Sequence, residues 1–242
     1  MPKIPTWLAN AVEKFISDKI HLVEIVKTEM ISQDIKQITF KGDFFTADFA
    51  PGQEALFRIN EHEYRHYTLS SFDKENGTCE ILFYLNGKGE GSAWAKNLQV
   101  GESLKLIADK GKIKYDYDAN QHFFFGDETS IGLYEWFKNV SLNLDHEYFG
   151  ILEMQEENEE SLKRIKLLLD AVPASPQEPA LNAINWMENM HPKCWEMWKD
   201  AKFYLSGRSR SVQKFKKYLR QKGVATKQIS SIPYWEIGVL GL

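Results

Sequence analysis

The chain has little cysteine. Cys79 and Cys194 are its only two, they lie far apart, and neither belongs to a Cys-x-x-Cys pair. They read as free thiols, because a disulfide framework, a structural zinc or an iron–sulfur cluster needs more ligands, clustered at defined spacings. Positive charge is also in deficit: Lys and Arg number 30 against 34 Asp and Glu, for a net charge of −4. That excludes a nucleic-acid binder held by phosphate contacts, and any anionic ligand must be met by local cations. No apolar run approaches the ~18 residues of a membrane span. The first turns carry Glu13, Lys14, Asp18 and Lys19, unlike the apolar core of a signal peptide. A cytoplasmic protein without membrane insertion is expected. Catalytic triads and metal pairs are missing too. His62 and His66 are four apart, but in a strand-rich region they do not share the helical face a metal pair uses, so both read as non-ligands and no metal site is expected.

What is present suffices for two packed cores, since 43% of the 242 residues are hydrophobic and 13% aromatic. Trp7, Leu8, Val12, Phe15 and Ile16 recur at helical spacing, which predicts an amphipathic helix over residues 6–19 within an N-terminal segment 1–19. From His21 to Ala108 the period becomes two. Segments around Val23–Val26, Ile35–Phe40, Ala55–Ile59, Arg65–Ser70, Cys79–Leu85 and Ser103–Ala108 are separated by turn signals such as Gly42-Asp43, Pro51-Gly52, Asn76-Gly77 and Gly101-Glu102. Six short strands with one inserted helix predict a closed antiparallel six-stranded β-barrel over residues 20–114.

Two stretches of this region carry chemistry. Arg65-His66-Tyr67-Thr68-Leu69-Ser70 puts a guanidinium and an aromatic ring on one strand face and hydroxyls on the other. That set suits a planar anion such as a flavin nucleotide: a fork for pyrophosphate, a ring for stacking, hydroxyls for the ring edge. Asn86-Gly87-Lys88-Gly89-Glu90-Gly91-Ser92 then leads into the helix-competent Ala93–Leu98. Its glycines permit close backbone approach, and Ser92 is a plausible N-cap for a phosphate-cradling helix; a flexible turn before a surface helix is the equal alternative.

Beyond Gln121 the pattern changes again. His122-Phe123-Phe124-Phe125 is a continuous apolar run, as in a buried parallel strand. Gly126-Asp127-Glu128-Thr129 follows as a tight turn, and Ile131, Leu133, Tyr134 and Phe137 as a helix face. Strand, turn and helix predict a doubly wound α/β parallel-sheet nucleotide-binding domain over residues 120–242, with its ligand at the carboxyl ends of the strands. A strand at His146–Leu152 and a charged helix at Glu156–Leu169 form its second unit. Pro173, Pro176 and Pro179 predict a loop over 171–179, and Ala183–Met187 reads as a short strand. Lys202–Leu205, the turn Ser206–Arg210 and an apolar face from Val212 to Leu219 form the last unit. Tyr234-Trp235 lies in a terminal strand. Asp127 and Glu128 read equally well as acids favoured at a helix N-terminus. Arg208 and Arg210 read as a phosphate pair or as solvated surface charges.

Taken in order, Arg65-x-Tyr67-Thr68, the glycine turn into a helix, Gly126-Asp127-Glu128-Thr129, Ser206-Gly207 and Tyr234-Trp235-x-x-Gly238 resemble the siderophore-interacting protein family. Its members are FAD-dependent ferric-siderophore reductases of the ferredoxin–NADP⁺ reductase superfamily. The resemblance implies FAD contacts at Arg65, Tyr67, Thr68, Ser70, Gly89, Gly91, Ser92 and Trp235. It implies NADPH or NADH contacts at Gly126, Asp127, Glu128, Thr129, Gly207 and Arg208, and a ferric siderophore or small ferric chelate as substrate. A flavin or ferredoxin-type reductase with another acceptor is the alternative, as is an FAD-binding module with a degenerate nicotinamide site. The chain departs from the family at four places. Glu90-Gly91-Ser92 stands where a Gly-Pro-Ala run is usual, and Ser130–Leu133 where a proline-containing helix start is usual. Arg208 stands in place of a glutamate, and Glu236 in place of an arginine.

Overall fold

The structure, a computed structural model, describes residues 5, 7, 13, 19–44, 47–87 and 89–239. The chain divides into two compact units, one running to Lys114 and the other beginning at Tyr115. Most of the helix predicted over 6–19 lies outside the described residues. Glu13 is described: it is buried, and its carboxylate accepts from Tyr64 Oη at 2.7 Å and from Lys105 Nζ at 2.8 Å.

In the first unit the predicted strands are β1 (Ile20–Met30), β2 (Ile35–Gly42), β3 (Glu54–Arg58), β4 (Tyr64–Asp73), β5 (Thr78–Tyr84) and β6 (Ser103–Asp109). They close into an antiparallel barrel in the order β1-β2-β5-β4-β3-β6. Alternation drives closure: Val23, Ile25, Ile38, Phe40, Ala55, Phe57, Leu69, Ile81 and Phe83 are all essentially buried. Between β5 and β6 lies helix α1 (Glu90–Asn97). It starts before the position that would make Ser92 its cap. The N-cap is Gly89 at φ +103°, and no side chain caps the helix. Ser92 Oγ instead accepts from the Gly87 N–H at 3.1 Å, bracing the glycine turn. The far end of α1 is held by Lys36 of β2, whose ammonium donates to the carbonyls of Ala95, Lys96 and Leu98 at 3.2, 3.1 and 2.6 Å. A cation at the negative end of the helix fixes where its other end points.

The second unit is a parallel sheet in the order β11-β10-β7-β8-β9. It comprises β7 (Gln121–Asp127), β8 (Glu147–Met154), β9 (Asp170–Pro173), β10 (Lys202–Arg208) and β11 (Ile229–Trp235). The phenylalanine run is buried on both faces, as a central parallel strand requires. Phe124 stacks on Tyr134 of α2 (Ile131–Asn143) at 4.7 Å, and Phe125 on Phe215 of α6 (Ser209–Gln221), on the other face, at 3.9 Å.

The turn expected over Ser206–Arg210 is instead the end of β10 running directly into α6, and three further local predictions fail for identifiable reasons. The helix expected over 156–169 is only α3 (Glu160–Arg164), preceded by a 3-10 turn at Glu156–Asn158; Lys166 at φ +54° ends it. Ala183–Met187 is not a strand but the centre of α4 (Leu181–Glu188), whose Ala183 and Met187, four apart, are its buried residues. The proline-rich interval is not wholly loop, because β9 ends on Pro173 at the sheet edge, where a missing N–H costs no ladder bond. A further helix, α5 (Pro192–Trp198), precedes β10. Among the described residues no helix is long and apolar enough to cross a membrane.

Candidate functional site

In the barrel, Arg65 and Tyr67 share a face of β4, as the alternation predicts, and Gly91 lies against both. A methyl group built on Gly91 would come within 2.7 Å of Tyr67 Oη and 3.4 Å of Arg65 Cγ. Tyr67 Oη donates to the Gly91 carbonyl at 3.3 Å. The arginine–tyrosine strand and the glycine turn, separated by more than twenty residues in sequence, therefore form one surface. Arg65 is held by donation to Glu63 Oε2 at 3.0 Å and to the Tyr64 carbonyl at 2.8 Å. Gly89 at φ +103°, with none of the described residues near its missing side chain, leaves open space beside the backbone at the start of α1. Ser70 Oγ is buried without a hydrogen-bond partner among the described residues. A fixed cation, an open glycine backbone at a helix N-terminus and an unsatisfied hydroxyl on one strand and one turn fit a dinucleotide with a charged bridge.

Two residues that support this surface give no sign of that role in the sequence. Trp94 of α1 stacks on the Tyr67 ring at 5.8 Å and 20°, and Phe83 meets that ring edge-on at 4.6 Å. Burial in this aromatic group pushes the Tyr67 phenol up, against a smaller opposing effect of Arg65, so it stays protonated. Lys36 is the other; a lone lysine in a strand pattern gives no sign of the helix end it holds.

In the second unit the predicted nucleotide residues gather at the carboxyl ends of β7 and β10, flanking the point where the strand order reverses. Asp127 is their hub. Its Oδ1 accepts from the Thr129 N–H at 2.9 Å and from the Thr129 hydroxyl, and its Oδ2 from the Arg208 N–H at 2.7 Å and Trp235 Nε1 at 2.8 Å. One carboxylate thus ties the ends of β7, β10 and β11. Gly207, at φ +103°, passes so close that a methyl group there would fall 2.5 Å from this carboxylate. Gly126 is as tight, with Ser130 Oγ 2.5 Å from where a methyl would sit. Burial raises the Asp127 pKa, with the surrounding donors opposing. Glu128 is buried as well, accepting from the Gln155 N–H at 2.8 Å; burial first, and the Asp127 charge second, push it up to about 7.

Arg208 is committed within the protein. Its Nε donates to Glu236 at 3.0 Å, and its two terminal nitrogens to the carbonyls of Ser175 and Pro176 at 3.1 and 3.0 Å. Both partners of the ion pair are buried. Burial alone would raise the Glu236 pKa, but the N–H groups of Arg210 and Ile237 and the Arg208 guanidinium hold it below the carboxylate range. Arg208 and Glu236, two of the places where the chain departs from the resemblance, thus meet as one buried ion pair. Arg210, also at this edge, is exposed, with its Nε 4.0 Å from Glu236.

Residues 22–115, all but the first two residues of the barrel, match the family model described as an oxidoreductase FAD-binding domain. In fold, the chain is similar to a siderophore-interacting protein from Acinetobacter baumannii, at 16% identity and TM-score 0.74, covering 91% of this chain and 92% of that one. A siderophore utilization protein from T. fusca gives 18% identity and TM-score 0.73 over 93% and 95%. A ferredoxin reductase in carbazole 1,9a-dioxygenase gives 18% and 0.73 over 89% of this chain and 68% of that one. Barrel, parallel sheet and family match together define a two-domain, FAD-binding oxidoreductase with the ferredoxin-reductase fold. More narrowly, the barrel matches the oxidoreductase FAD-binding domain model, and the whole chain has the fold that siderophore-interacting proteins have.

Proposed function

We propose that this oxidoreductase takes electrons from NADH or NADPH and delivers them to an iron(III) chelate of the siderophore type, releasing iron(II). When bound, FAD supplies the chemistry that joins the two: it accepts two electrons as hydride and gives them up singly. The chain's own part is binding and positioning. Arg65 neutralises the pyrophosphate, Gly89 and Gly91 admit it to the backbone at the start of α1, Ser92 braces that turn, Tyr67 and Thr68 address the ring, and Ser70 offers a hydroxyl. Asp127 holds Thr129, Gly207 and Trp235 in fixed relation at the strand ends, where Gly126 and Gly207 line the nicotinamide site. Arg208 acts there as a clamp on the 175–176 backbone, and Glu128 through Gln155. Arg210 is the cation left to meet a nucleotide phosphate.

The observation that carries this reading is the meeting of Gly91 with Arg65 and Tyr67 inside a domain of the FAD-binding family. Likeness to two siderophore proteins supports the acceptor. A second reading, an FAD module that does not turn over nicotinamide, is favoured by the acids Asp127, Glu128, Glu153 and Glu236 buried at the nucleotide edge. Two assays separate them. Arg65→Ala weakens FAD binding, read by flavin fluorescence, by about 10- to 100-fold, the worth of a charge-assisted phosphate contact; unchanged affinity contradicts the FAD assignment. Wild-type protein with FAD and NADH or NADPH converts ferric hydroxamate or catecholate complexes to iron(II), trapped by a coloured ferrous chelator. No iron(II) with either donor contradicts the reductase.

A further inference from the structure

The first unit holds a second cluster of functional groups, none of them among the residues assigned above to the flavin. Glu54 opens β3, His66 lies in β4 and Asp109 closes β6. Glu54 is the register partner of Asp109, and His66 that of Leu56, two residues from Glu54, so period two puts all three side chains on one face of adjacent strands. His66 Nδ1 is 3.3 Å from Glu54 Oε2 and 3.4 Å from Asp109 Oδ2, and one ligand atom of each residue lies within 4.8 Å of the others.

We propose that Glu54, His66 and Asp109 are a binding site for a divalent first-row transition metal ion, of the zinc or manganese kind. The separations fit shared coordination better than hydrogen bonding. Charge-assisted N–H···O bonds run at about 2.7–2.9 Å, whereas ligands of a tetrahedral ion with bonds of about 2.0–2.1 Å stand roughly 3.3 Å apart. His66 Nδ1 is buried and has no hydrogen-bond partner among the described residues. Glu54 is 7% exposed, and its sole ion-pair partner among those residues is His66. Neither carboxylate pairs there with a lysine or arginine. Two adjacent carboxylates, one of them buried, thus face a single imidazole; a protonated ring supplies one positive charge against two negative, and a divalent ion balances both. The other Asp109 oxygen is oriented by the Lys110 N–H at 2.6 Å, leaving Oδ2 for the cluster. Asp109 is half exposed, which gives an ion a way in and waters to complete its shell. One nitrogen and two oxygens are a poor cage for calcium, which takes six to eight oxygens, and a good one for zinc, manganese(II) or iron(II). His66 is thus a ligand that spacing in sequence could not reveal, since its partners come from two other strands.

The site is tested on the tag-free full chain, stripped with EDTA, by calorimetric titration with Zn²⁺ and by Mn²⁺ paramagnetic resonance. One equivalent of each binds the wild type. Asp109→Asn and His66→Ala each weaken that binding at least about tenfold, and Zn²⁺ raises the melting temperature of the wild type but of neither variant. Asp109→Asn leaves the residues beside the flavin surface untouched, and unchanged melting in EDTA shows that it folds. Zn²⁺ binding that is equal in wild type and both variants, or absent in the wild type, overturns the site and leaves the cluster as a histidine held between two acids.

Discussion

At Gly91 the absence of one methyl group decides whether the strand and the glycine turn can share a surface. Tyr67 Oη occupies the space, and Phe57, Phe83 and Trp94 limit where the ring can move. Gly91→Ala therefore displaces the tyrosine, at a cost of about 1–3 kcal/mol, and FAD affinity falls at least about tenfold. Tyr67→Phe removes the clashing oxygen, so the alanine costs less in that background; the coupling in a double-mutant cycle is about 1 kcal/mol. Additive effects contradict the contact. That Arg65 and Tyr67 share a strand face and that glycines lead into a helix at Gly91 was legible in sequence, because strand alternation and glycine punctuation are local signals. Trp94 and Lys36 were not, because each acts on a partner brought to it by closure of the barrel. Ser92 was misassigned as a cap: the signal for a capping serine is real, but here its hydroxyl serves the preceding turn.

Among the elements, the carboxyl ends of β7, β10 and β11 are joined by two carboxylates. Asp127 takes donors from the turn after β7, from β10 and from β11, and Glu236 grips the start of α6 through the Arg210 N–H at 2.8 Å. The Arg208–Glu236 pair is buried, so removing one partner leaves an uncompensated charge. Arg208→Ala destabilises the second unit by roughly 3 kcal/mol, read by denaturant unfolding. Arg208→Glu alone is at least as damaging, and adding Glu236→Arg restores much of the loss. A double exchange no more stable than the single one contradicts the reading of Arg208 and Glu236 as one interdependent buried pair. Both mismatches were visible in sequence, but their partnership was not, since 28 positions separate them. The helix expected over 156–169 and the strand expected at Ala183–Met187 failed at this scale too, where a positive φ at Lys166 and an apolar i, i+4 pair overrode composition.

For the whole molecule, the barrel and the parallel sheet followed from hydrophobic period: two for the barrel strands, an unbroken phenylalanine run for the central parallel strand. What period cannot convey is how the strand ends are wired, and that wiring governs the response to pH. Glu128 has its folded pKa raised from 4.5 to about 7, so its contribution to stability is full below 4.5 and is lost as pH rises through 7. His122, buried beside Tyr115 and His146, is lowered from 6.5 to about 4, so its contribution is present above 6.5 and is lost as pH falls through 4. The two oppose each other between about pH 4.5 and 6.5, where their windows overlap, and flatten the wild-type profile there. Glu128→Gln removes one arm: relative to wild type it gains stability as pH rises from 4.5 to above 7, by up to ~3 kcal/mol. A constant difference between the two proteins across that range contradicts the burial argument.

The claim on which the rest depends is that one chain binds FAD on its barrel and lets a nicotinamide nucleotide reduce it. It is tested most directly by loading the purified protein with FAD and titrating it without oxygen, first with NADH and then with NADPH, while following the flavin absorbance band. About one equivalent of one donor is expected to bleach the band, and a ferric chelate to restore it as iron(II) appears. A band that forms with FAD but that neither nucleotide bleaches contradicts the claim.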